Sequence, residues 1–238
     1  MAPILQVRGL SRSFGALKVT DEVTFAVAEG EILGIIGPNG AGKTTLFALL
    51  AGNLAPSAGA VMFAGKDITL IQAHERARLG LARTYQVPRP FTHMTVFENL
   101  KVAALFAGGL EEVECADWVE HVLETAGMPE ARNMLAGSLP LLSRKRHELA
   151  RALAMRPKLL LVDEVAAGLT DFEVDEFIGL IRAIRDSGIT VVWIEHVMKT
   201  MLTATDRLLA LAGGKLIAEG KPQDVVASPA VRRVYLGA

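Results

Sequence analysis

Residues 37–44 carry the most informative spacing in the chain. Their sequence, GPNGAGKT, fits the pattern G-x-x-x-x-G-K-[ST], in which glycines let backbone N–H groups turn inward around phosphate oxygens. Lys43 supplies a mobile cation for the β- and γ-phosphates, and the Thr44 hydroxyl is a ligand for Mg²⁺. An apolar run precedes the pattern and a helix-forming run follows it, so we expect a nucleoside triphosphate site rather than a chance glycine-rich turn. The candidate nucleotide-binding residues are Gly37, Pro38, Asn39, Gly40, Ala41, Gly42, Lys43, Thr44 and Thr45.

Two acidic residues follow a second apolar run. Asp163 and Glu164 come directly after residues 159–162, at the point where a buried strand would end. Asp163 would hold Mg²⁺ through water, and Glu164 would orient or deprotonate the attacking water, a role that contributes about 10²–10⁴ in rate. The alternative is that both are solvated helix-capping residues. The phosphate-binding pattern upstream favours the catalytic interpretation.

Three short apolar runs, at 31–37, 159–163 and 189–195, must position these residues. Each ends in small or polar residues and is followed by a helical pattern. This alternation predicts a parallel sheet with ligands at the carboxyl ends of its strands. Near the C-terminus, residues 208–212 and 215–219 flank two glycines and predict a β-hairpin.

The remaining segments predict two further layers around this core. Residues 1–30 and 60–70 contain short alternating stretches typical of a small antiparallel β subdomain. Residues 88–156 follow a helical pattern interrupted by prolines and glycines, which predicts an inserted helical subdomain. Residues 31–59, 71–87 and 157–238 then make up the predicted α/β core.

Composition argues against several classes of protein. The chain has 25 basic and 26 acidic side chains, so its net charge of -1 gives no reason to expect a nucleic-acid partner. A single cysteine, Cys115, cannot form an internal disulfide or a cysteine metal cage. The uncharged stretch at 44–65 contains Pro56 and several glycines, so we do not expect a membrane span there. We expect a soluble chain that reaches a membrane only through a partner.

Several short motifs around these sites resemble those of the ATP-binding subunit of an ABC transporter. Besides the two sites above they are RTYQ at 83–86, FENL at 97–100, ARAL at 150–153, VDEVAAGL at 162–169, IEH at 194–196 and AEGKP at 218–222. The resemblance covers nearly the whole chain and points to the importers of branched-chain and other hydrophobic amino acids. It implies an α/β fold with a P-loop NTPase (RecA-like) parallel-sheet core, and ATP and Mg²⁺ as cofactors.

The resemblance also implies roles for three further residues. Phe14 matches the aromatic residue that stacks on adenine, Gln86 the loop glutamine that senses Mg²⁺ and the γ-phosphate, and His196 a histidine that contacts the γ-phosphate. The implied catalytic residues are therefore Glu164, His196 and Gln86, and the implied metal ligands are Thr44, Gln86 and Asp163. Taken alone, Phe14 is compatible with a core residue, Gln86 with a loop hydrogen-bonder and His196 with a structural histidine.

One segment departs from the family pattern. The family motif Leu-Ser-Gly-Gly-Gln should lie eleven residues before ARAL, where this chain has Leu139-Pro140-Leu141-Leu142-Ser143. In the family this segment reaches across a dimer to the γ-phosphate on the partner's phosphate loop. Proline has no N–H, and leucine side chains obstruct the approach of backbone N–H groups to the phosphate. The loss of one such N–H donor would lower the rate of hydrolysis by about 10²–10³, by analogy with oxyanion holes. A register shifted to 142–143 supplies no glycine either.

Two smaller features lie near this segment. Thr170 stands where the family's dimer-contact loop commonly ends in Asp or Asn, and its hydroxyl can still hydrogen-bond across an interface. The basic cluster RKRH at 144–147 is interpreted as a solvated helix face rather than a nucleic-acid patch.

The resemblance implies the motor subunit of an ABC importer. Two cassettes would enclose two Mg·ATP and drive integral membrane permeases docked around residues 87–100, with an extracytoplasmic solute-binding protein acting indirectly. Such a subunit lies in the cytoplasm, on the inner face of the plasma membrane. The altered signature predicts a heterodimer with a second cassette, because a homodimer, although possible, would contain two compromised sites. Two alternatives remain: a soluble ABC ATPase outside transport, and a subunit that binds ATP without hydrolysing it.

Overall fold

The computed structural model describes residues 2–236, in which strands and helices alternate over most of the chain. In chain order the elements are β1 (Leu5–Phe14), β2 (Leu17–Val27), β3 (Ile32–Ile36), α1 (Lys43–Leu50), β4 (Ala58–Phe63), β5 (Lys66–Asp67), α2 (Ala73–Arg78), β6 (Leu81–Arg83), α3 (Val96–Phe106), α4 (Glu112–Thr125), α5 (Leu141–Ala154), β7 (Leu159–Asp163), α6 (Asp171–Asp186), β8 (Thr190–Ile194), α7 (Met198–Ala204), β9 (Arg207–Ala212), β10 (Lys215–Gly220), α8 (Pro222–Ala227) and α9 (Pro229–Leu236). Short 3₁₀ turns at Pro129–Ala131 and Ala136–Ser138 lie between α4 and α5.

The central sheet of the described chain has the strand order β10-β9-β3-β8-β7-β6. Every neighbouring pair is parallel except β9 and β10, which form the predicted antiparallel hairpin. All residues of β3, β7 and β8 are buried, as expected for parallel strands covered on both faces. Because these strands run in one direction, their carboxyl ends bring residues 37–44, 163–164 and 195–196 to one edge. This architecture confirms the predicted α/β fold class.

A second sheet, with the order β2-β1-β4-β5, is antiparallel throughout. Its apolar face, α1 and one face of the central sheet share a hydrophobic core. The other face of the central sheet packs against α6 and the helices α3, α4 and α5, which share the larger core. The segment after β6 thus leads directly into a helical layer. Among residues 2–236, no helix has both the length and the apolarity needed to cross a bilayer.

The structure corrects one local expectation and shows the position of a second residue near it. The basic cluster at 144–147 is not a solvated face, because Lys145 and His147 are buried while Arg144 is exposed. The Thr170 hydroxyl caps α6 within the chain: it accepts a hydrogen bond from the Glu173 N–H and donates to Glu173 Oε2. A hydrogen bond from this hydroxyl across an interface stays a prediction. The short strand β6 was not predicted.

Candidate active site

The phosphate-binding pattern forms the turn between β3 and α1. Gly40 and Gly42 have φ values of +79° and +99°, in the left-handed region that favours glycine. Space also requires glycine, since a Cβ on Gly42 would lie 2.4 Å from the Val19 carbonyl oxygen. A Cβ on Gly37 would lie 2.4 Å from the Leu211 carbonyl oxygen. The turn is therefore held tightly between β2 and β9, and its shape depends on these glycines.

Lys43 is the first residue of α1 and only 6% exposed. Its Nζ donates hydrogen bonds to the carbonyl oxygens of Gly37 at 2.7 Å and of Pro38 at 3.2 Å. Burial lowers the pKa of Lys43, and the nearby carboxylates of Glu164 and Asp163 oppose that shift. The ammonium group is thus held against the phosphate loop and close to both acidic residues, as phosphate binding would require.

A cleft of about 360 Å³ opens beside the loop. It is lined by Val19, Asn39, Gly40, Ala41, Gly42, Lys43, Thr44, Thr45, Gln86 and Glu164. The fold therefore brings most of the predicted phosphate-binding residues together with two of the predicted catalytic residues, although these lie far apart in the sequence.

Phe14 does not line this cleft. It ends β1 at the hairpin turn and is 49% exposed. The Arg12 guanidinium lies over its ring, 4.9 Å from the centroid. The exposure excludes a core phenylalanine, and stacking on adenine stays a prediction.

Glu164 lies between the other two predicted catalytic residues. Gln86 Nε2 donates to Glu164 Oε2 at 2.6 Å, and His196 Nε2 contacts the other carboxylate oxygen. Glu164 has a φ of +45°, a costly conformation for a residue with a side chain. Its N–H donates to the Ile194 carbonyl at 2.9 Å, which fixes the turn to the end of β8. The strained backbone aims both carboxylate oxygens at defined partners.

Glu195 supports this arrangement and was not singled out by the sequence analysis. Its buried carboxylate accepts the N–H groups of Ala166 at 2.6 Å and His196 at 3.0 Å. Burial raises the pKa of Glu195, and these backbone hydrogen bonds oppose the increase. Glu195 thereby connects the turn after Glu164 to His196, the residue predicted to contact the γ-phosphate.

Asp163 has two partners that the sequence analysis also missed. Arg83 Nη2 donates to Asp163 Oδ2 at 2.7 Å, and the Asp163 N–H donates to the Thr84 hydroxyl oxygen at 3.1 Å. Burial raises the pKa of Asp163, while the Arg83 guanidinium opposes the shift. Both partners lie in the motif RTYQ, which carries the family resemblance but in which only Gln86 had an assigned role.

The residues predicted to hold Mg²⁺ fit that ion by their chemistry. Thr44, Gln86 and Asp163 offer a hydroxyl, an amide oxygen and a carboxylate, the hard oxygen ligands that Mg²⁺ prefers. Within residues 2–236, no group of three or more His, Cys, Asp or Glu side chains forms an alternative metal cage. Mg²⁺ commonly binds through one or two carboxylates together with substrate phosphates, which this edge of the sheet allows.

The altered signature segment lies at the start of α5. Pro140 precedes the helix, and no side chain of the described residues caps it. Leu141 is 51% exposed, and its Cδ2 lies 3.4 Å from where a Cβ on Gly168 would stand. Lys145 Nζ donates to the carbonyls of Val165, at 2.6 Å, and Ala167. The segment is therefore tied to the loop that follows Glu164, with an apolar side chain beside its free helix N-terminus.

Sequence comparison decides the family. The sequence model of the ABC transporter family matches residues 20–167, more than half of the chain. This protein is an ABC transporter ATP-binding cassette. A further model, the branched-chain amino acid ATP-binding cassette transporter, matches residues 215–238 of the cassette.

Individual relatives cover the cassette from end to end. The high-affinity branched-chain amino acid transport ATP-binding protein BraF of Pseudomonas aeruginosa is 37% identical, over 99% of this chain and 98% of that protein. The lipopolysaccharide export system ATP-binding protein LptB of Acidithiobacillus ferridurans is 38% identical, over 100% and 98%. The cassette therefore belongs to a family of ATP-hydrolysing transporter subunits, and these relatives serve different solutes.

Solved structures agree with this assignment. A nucleotide-free ATP-binding cassette from an ABC transporter superimposes with a TM-score of 0.90 at 30% identity, covering 100% of both chains. The ADP conformation of an ATP-binding cassette of an ABC transporter gives the same TM-score, identity and coverage. The cassette is an ATPase of this family.

Proposed function

We propose that this cassette is the ATP-hydrolysing motor of an importer for branched-chain or other hydrophobic amino acids. The observation that carries the proposal is the match of residues 215–238 to the branched-chain amino acid cassette. Overall identity does not separate import from export, because BraF and LptB are almost equally similar to the chain. The match of the C-terminal segment therefore supports import over export.

In the proposed reaction the phosphate loop binds the triphosphate of ATP, and Lys43 neutralises charge on the β- and γ-phosphates. Glu164 orients the attacking water and accepts its proton. Gln86 and His196 hold the Glu164 carboxylate from its two oxygens. Mg²⁺, when bound through Thr44, Gln86 and Asp163, would neutralise charge that develops on the phosphates. Phe14 would stack on the base with little selectivity between ATP and GTP.

The segment after Gln86 is the proposed docking site for integral membrane permeases. Val87 and Phe91 are exposed apolar residues only one and five positions beyond Gln86. The buried Asn99 side chain fixes the loop: its Oδ1 accepts the Phe91 N–H at 2.8 Å and its Nδ2 donates to the Thr95 carbonyl at 2.8 Å. A permease pressing on this loop would move Gln86, which contacts Glu164. The cassette would thereby sit on the cytoplasmic face of the plasma membrane.

The signature segment supports a heterodimer with a second cassette. The cassette's own nucleotide side is complete, whereas Pro140 and Leu141 replace the small residues that would approach a partner's γ-phosphate. A partner with an intact signature would leave one good composite site. We therefore propose that hydrolysis takes place at this chain's phosphate loop, completed by the partner.

Uptake of labelled leucine tests the importer proposal. A host strain lacking the cassette should lose high-affinity uptake, and the wild-type gene but not Glu164→Gln should restore it. Unchanged uptake in the deletion strain would refute amino-acid import. Lipid export, which the similarity to LptB favours as a second candidate, predicts instead a defect in the outer membrane of that strain.

Copurification from the native host tests the partners. We expect a complex containing permeases and a second cassette whose signature retains its glycines. Recovery of self-dimers alone, in a preparation that transports solute, would refute the heterodimer. Recovery of soluble partners without permeases would support an ATPase outside transport.

A further inference from the structure

Arg83 lies next to Asp163, the acid predicted to bind the metal, and has so far been given no role. It is the last residue of β6 and pairs with Leu161 of β7. Its Nη2 lies 2.7 Å from Asp163 Oδ2, and the two side chains are 10% and 4% exposed. A buried carboxylate needs a partner of this kind, because an unpaired charge away from water is costly.

The same guanidinium contacts two aromatic rings. Its Cζ lies 5.7 Å from the ring centroid of Phe47 and 5.1 Å from that of Tyr85. Phe47 lies one helical turn after Lys43 on α1, and Tyr85 directly precedes Gln86. One side chain thus connects the helix of the phosphate loop, the acid at the end of β7 and the segment that leads to Gln86.

The geometry leaves the two oxygens of Asp163 unequal. Oδ2 is engaged by Arg83, whereas no hydrogen bond among residues 2–236 uses Oδ1. An orienting group on one oxygen of a carboxylate fixes the direction of the other, and such outer partners of metal ligands typically affect metal affinity by about 10–100-fold.

We propose that Arg83 is a positioning residue that orients Asp163 toward the metal of the bound nucleotide and connects that orientation to Gln86. The proposal rests on the metal role assigned to Asp163 above, but not on the identity of the transported solute. Arginine suits the position because its planar guanidinium stacks on rings while donating to a carboxylate. Lysine would keep the charge but lose the stacking.

The test compares Arg83→Gln and Arg83→Lys with the control Arg89→Gln. Arg89 is exposed and lies 5.7 Å from the same Tyr85 ring, but makes no ion pair with an acid in the described chain. The readout is Mn²⁺ affinity of the protein bound to the non-hydrolysable β,γ-imido analogue of ATP, measured by electron paramagnetic resonance. Affinity for the analogue in EDTA is measured in parallel.

We expect Arg83→Gln to weaken Mn²⁺ binding about 10–100-fold, with affinity for the metal-free analogue changed less than about twofold. The Mn²⁺ affinity of Arg83→Lys should fall between those of the wild type and Arg83→Gln, and the Mn²⁺ affinity of Arg89→Gln should equal that of the wild type. Wild-type Mn²⁺ affinity in Arg83→Gln would overturn the proposal. An equal loss of metal-free nucleotide binding would assign Arg83 a purely structural role and also overturn it.

If Arg83→Gln does not fold, a double-mutant cycle with Arg83→Lys and Asp163→Asn replaces it. Arg83 acts through Asp163, so the double variant should bind Mn²⁺ no more weakly than Asp163→Asn alone. Fully additive losses would overturn the proposal. Failure of Asp163→Asn to weaken Mn²⁺ binding would refute the metal role of Asp163, and the proposal with it, whatever the solute.

Discussion

The nucleotide side and the signature side of this cassette differ in the polar groups that they can offer to a phosphate. On the nucleotide side, Lys43, Glu164 and Glu195 each have two partners. On the signature side, Pro140 offers no N–H, and both ring nitrogens of the fully buried His147 lack a hydrogen-bond partner in the described chain. The first region carries groups that suit phosphate binding, whereas residues 139–143 lack the glycines of the family motif and Pro140 lacks an N–H.

This difference indicates which half of a composite nucleotide site, the phosphate loop or the signature segment, the chain is suited to supply. Groups that must hold a charged substrate are preorganised by many partners, because reorganisation during the reaction would cost rate. The signature helix keeps its connection to the nucleotide side through Lys145 but presents leucine where glycine would approach phosphate. We therefore expect the chain to supply the phosphate-loop half of a composite site better than the signature half.

The largest expected effect comes from Glu164→Gln. In the complete transporter this change should lower ATP hydrolysis by about 10²–10⁴, because the amide cannot accept the proton of the attacking water. ATP binding should be retained, which filter binding of labelled ATP would show. The corresponding change in the second cassette should cost less, since that site depends on the altered signature. Glu29→Gln, at an exposed glutamate, is the matched control and should leave hydrolysis unchanged. Equal losses of hydrolysis from the variants of the two cassettes would show that the two nucleotide sites do not differ.

Arg76→Met tests the support of the nucleotide side. The buried Arg76 donates to the carbonyls of Leu49 and Leu50 at the end of α1, and to those of Thr69 and Ile71. The change removes all four of these hydrogen bonds, although the Leu49 carbonyl still accepts the Gly52 N–H, so the free energy of unfolding should fall by about 2–4 kcal/mol. Urea unfolding measures this. Arg78→Met, at an exposed position on the same helix, should cost under about 1 kcal/mol, and equal stability of both variants would contradict the role given to Arg76.

The pH dependence of stability tests the signature side. Burial, together with the charge of Arg151, lowers the pKa of His147 from 6.5 to about 4. Between pH 6.5 and about 4, His147 is protonated in the unfolded chain but neutral in the folded chain, so lowering the pH destabilises the fold. Lowering the pH from 7 to 4 should remove about 3 kcal/mol through this group alone. Urea unfolding at several pH values should show a shallower loss for His147→Leu, and identical slopes would refute the assignment.

The smallest effect is expected from His147→Leu at neutral pH. An unpaired buried imidazole lowers stability by about 1–3 kcal/mol, and leucine would remove that cost. Imperfect packing of the leucine side chain would offset part of the gain. We expect a net gain of about 1 kcal/mol in the free energy of unfolding at pH 7. Any loss above about 1 kcal/mol would show that His147 has a stabilising partner and would weaken the contrast between the two regions.

The phosphate-binding pattern and the buried strands could be recognised in the sequence because their signals are local. The loop at 37–44, the acids after β7 and the buried strands are each visible within ten residues. Arg83 and Glu195 lie in the motifs RTYQ and IEH but were given no role, because their partners Asp163 and Ala166 lie 80 and 29 residues away.

The error at the basic cluster has a different cause. Residues 145, 149 and 152 recur at helical spacing on one face of α5, so Lys145 shares the buried face of Leu149 and Ala152. Charge alone suggested exposure, whereas periodicity, extended back from the ARAL motif, predicts burial. The carbonyls that accept from Lys145 belong to a loop 20 residues away or more, which the sequence could not reveal.

ATP hydrolysis by the purified chain alone, across protein concentration, shows whether the altered signature can complete a nucleotide site. We expect no activity above that of Glu164→Gln at any concentration, although ATP still binds. The triple variant Pro140→Ser, Leu141→Gly, Leu142→Gly should gain a specific activity that rises with concentration as self-dimers form, whereas Leu70→Gly, at an exposed leucine of the β subdomain, should gain none. A wild-type activity that rises with concentration and vanishes in Glu164→Gln would show that the altered signature completes a working site, and the reason for a heterodimer would be lost.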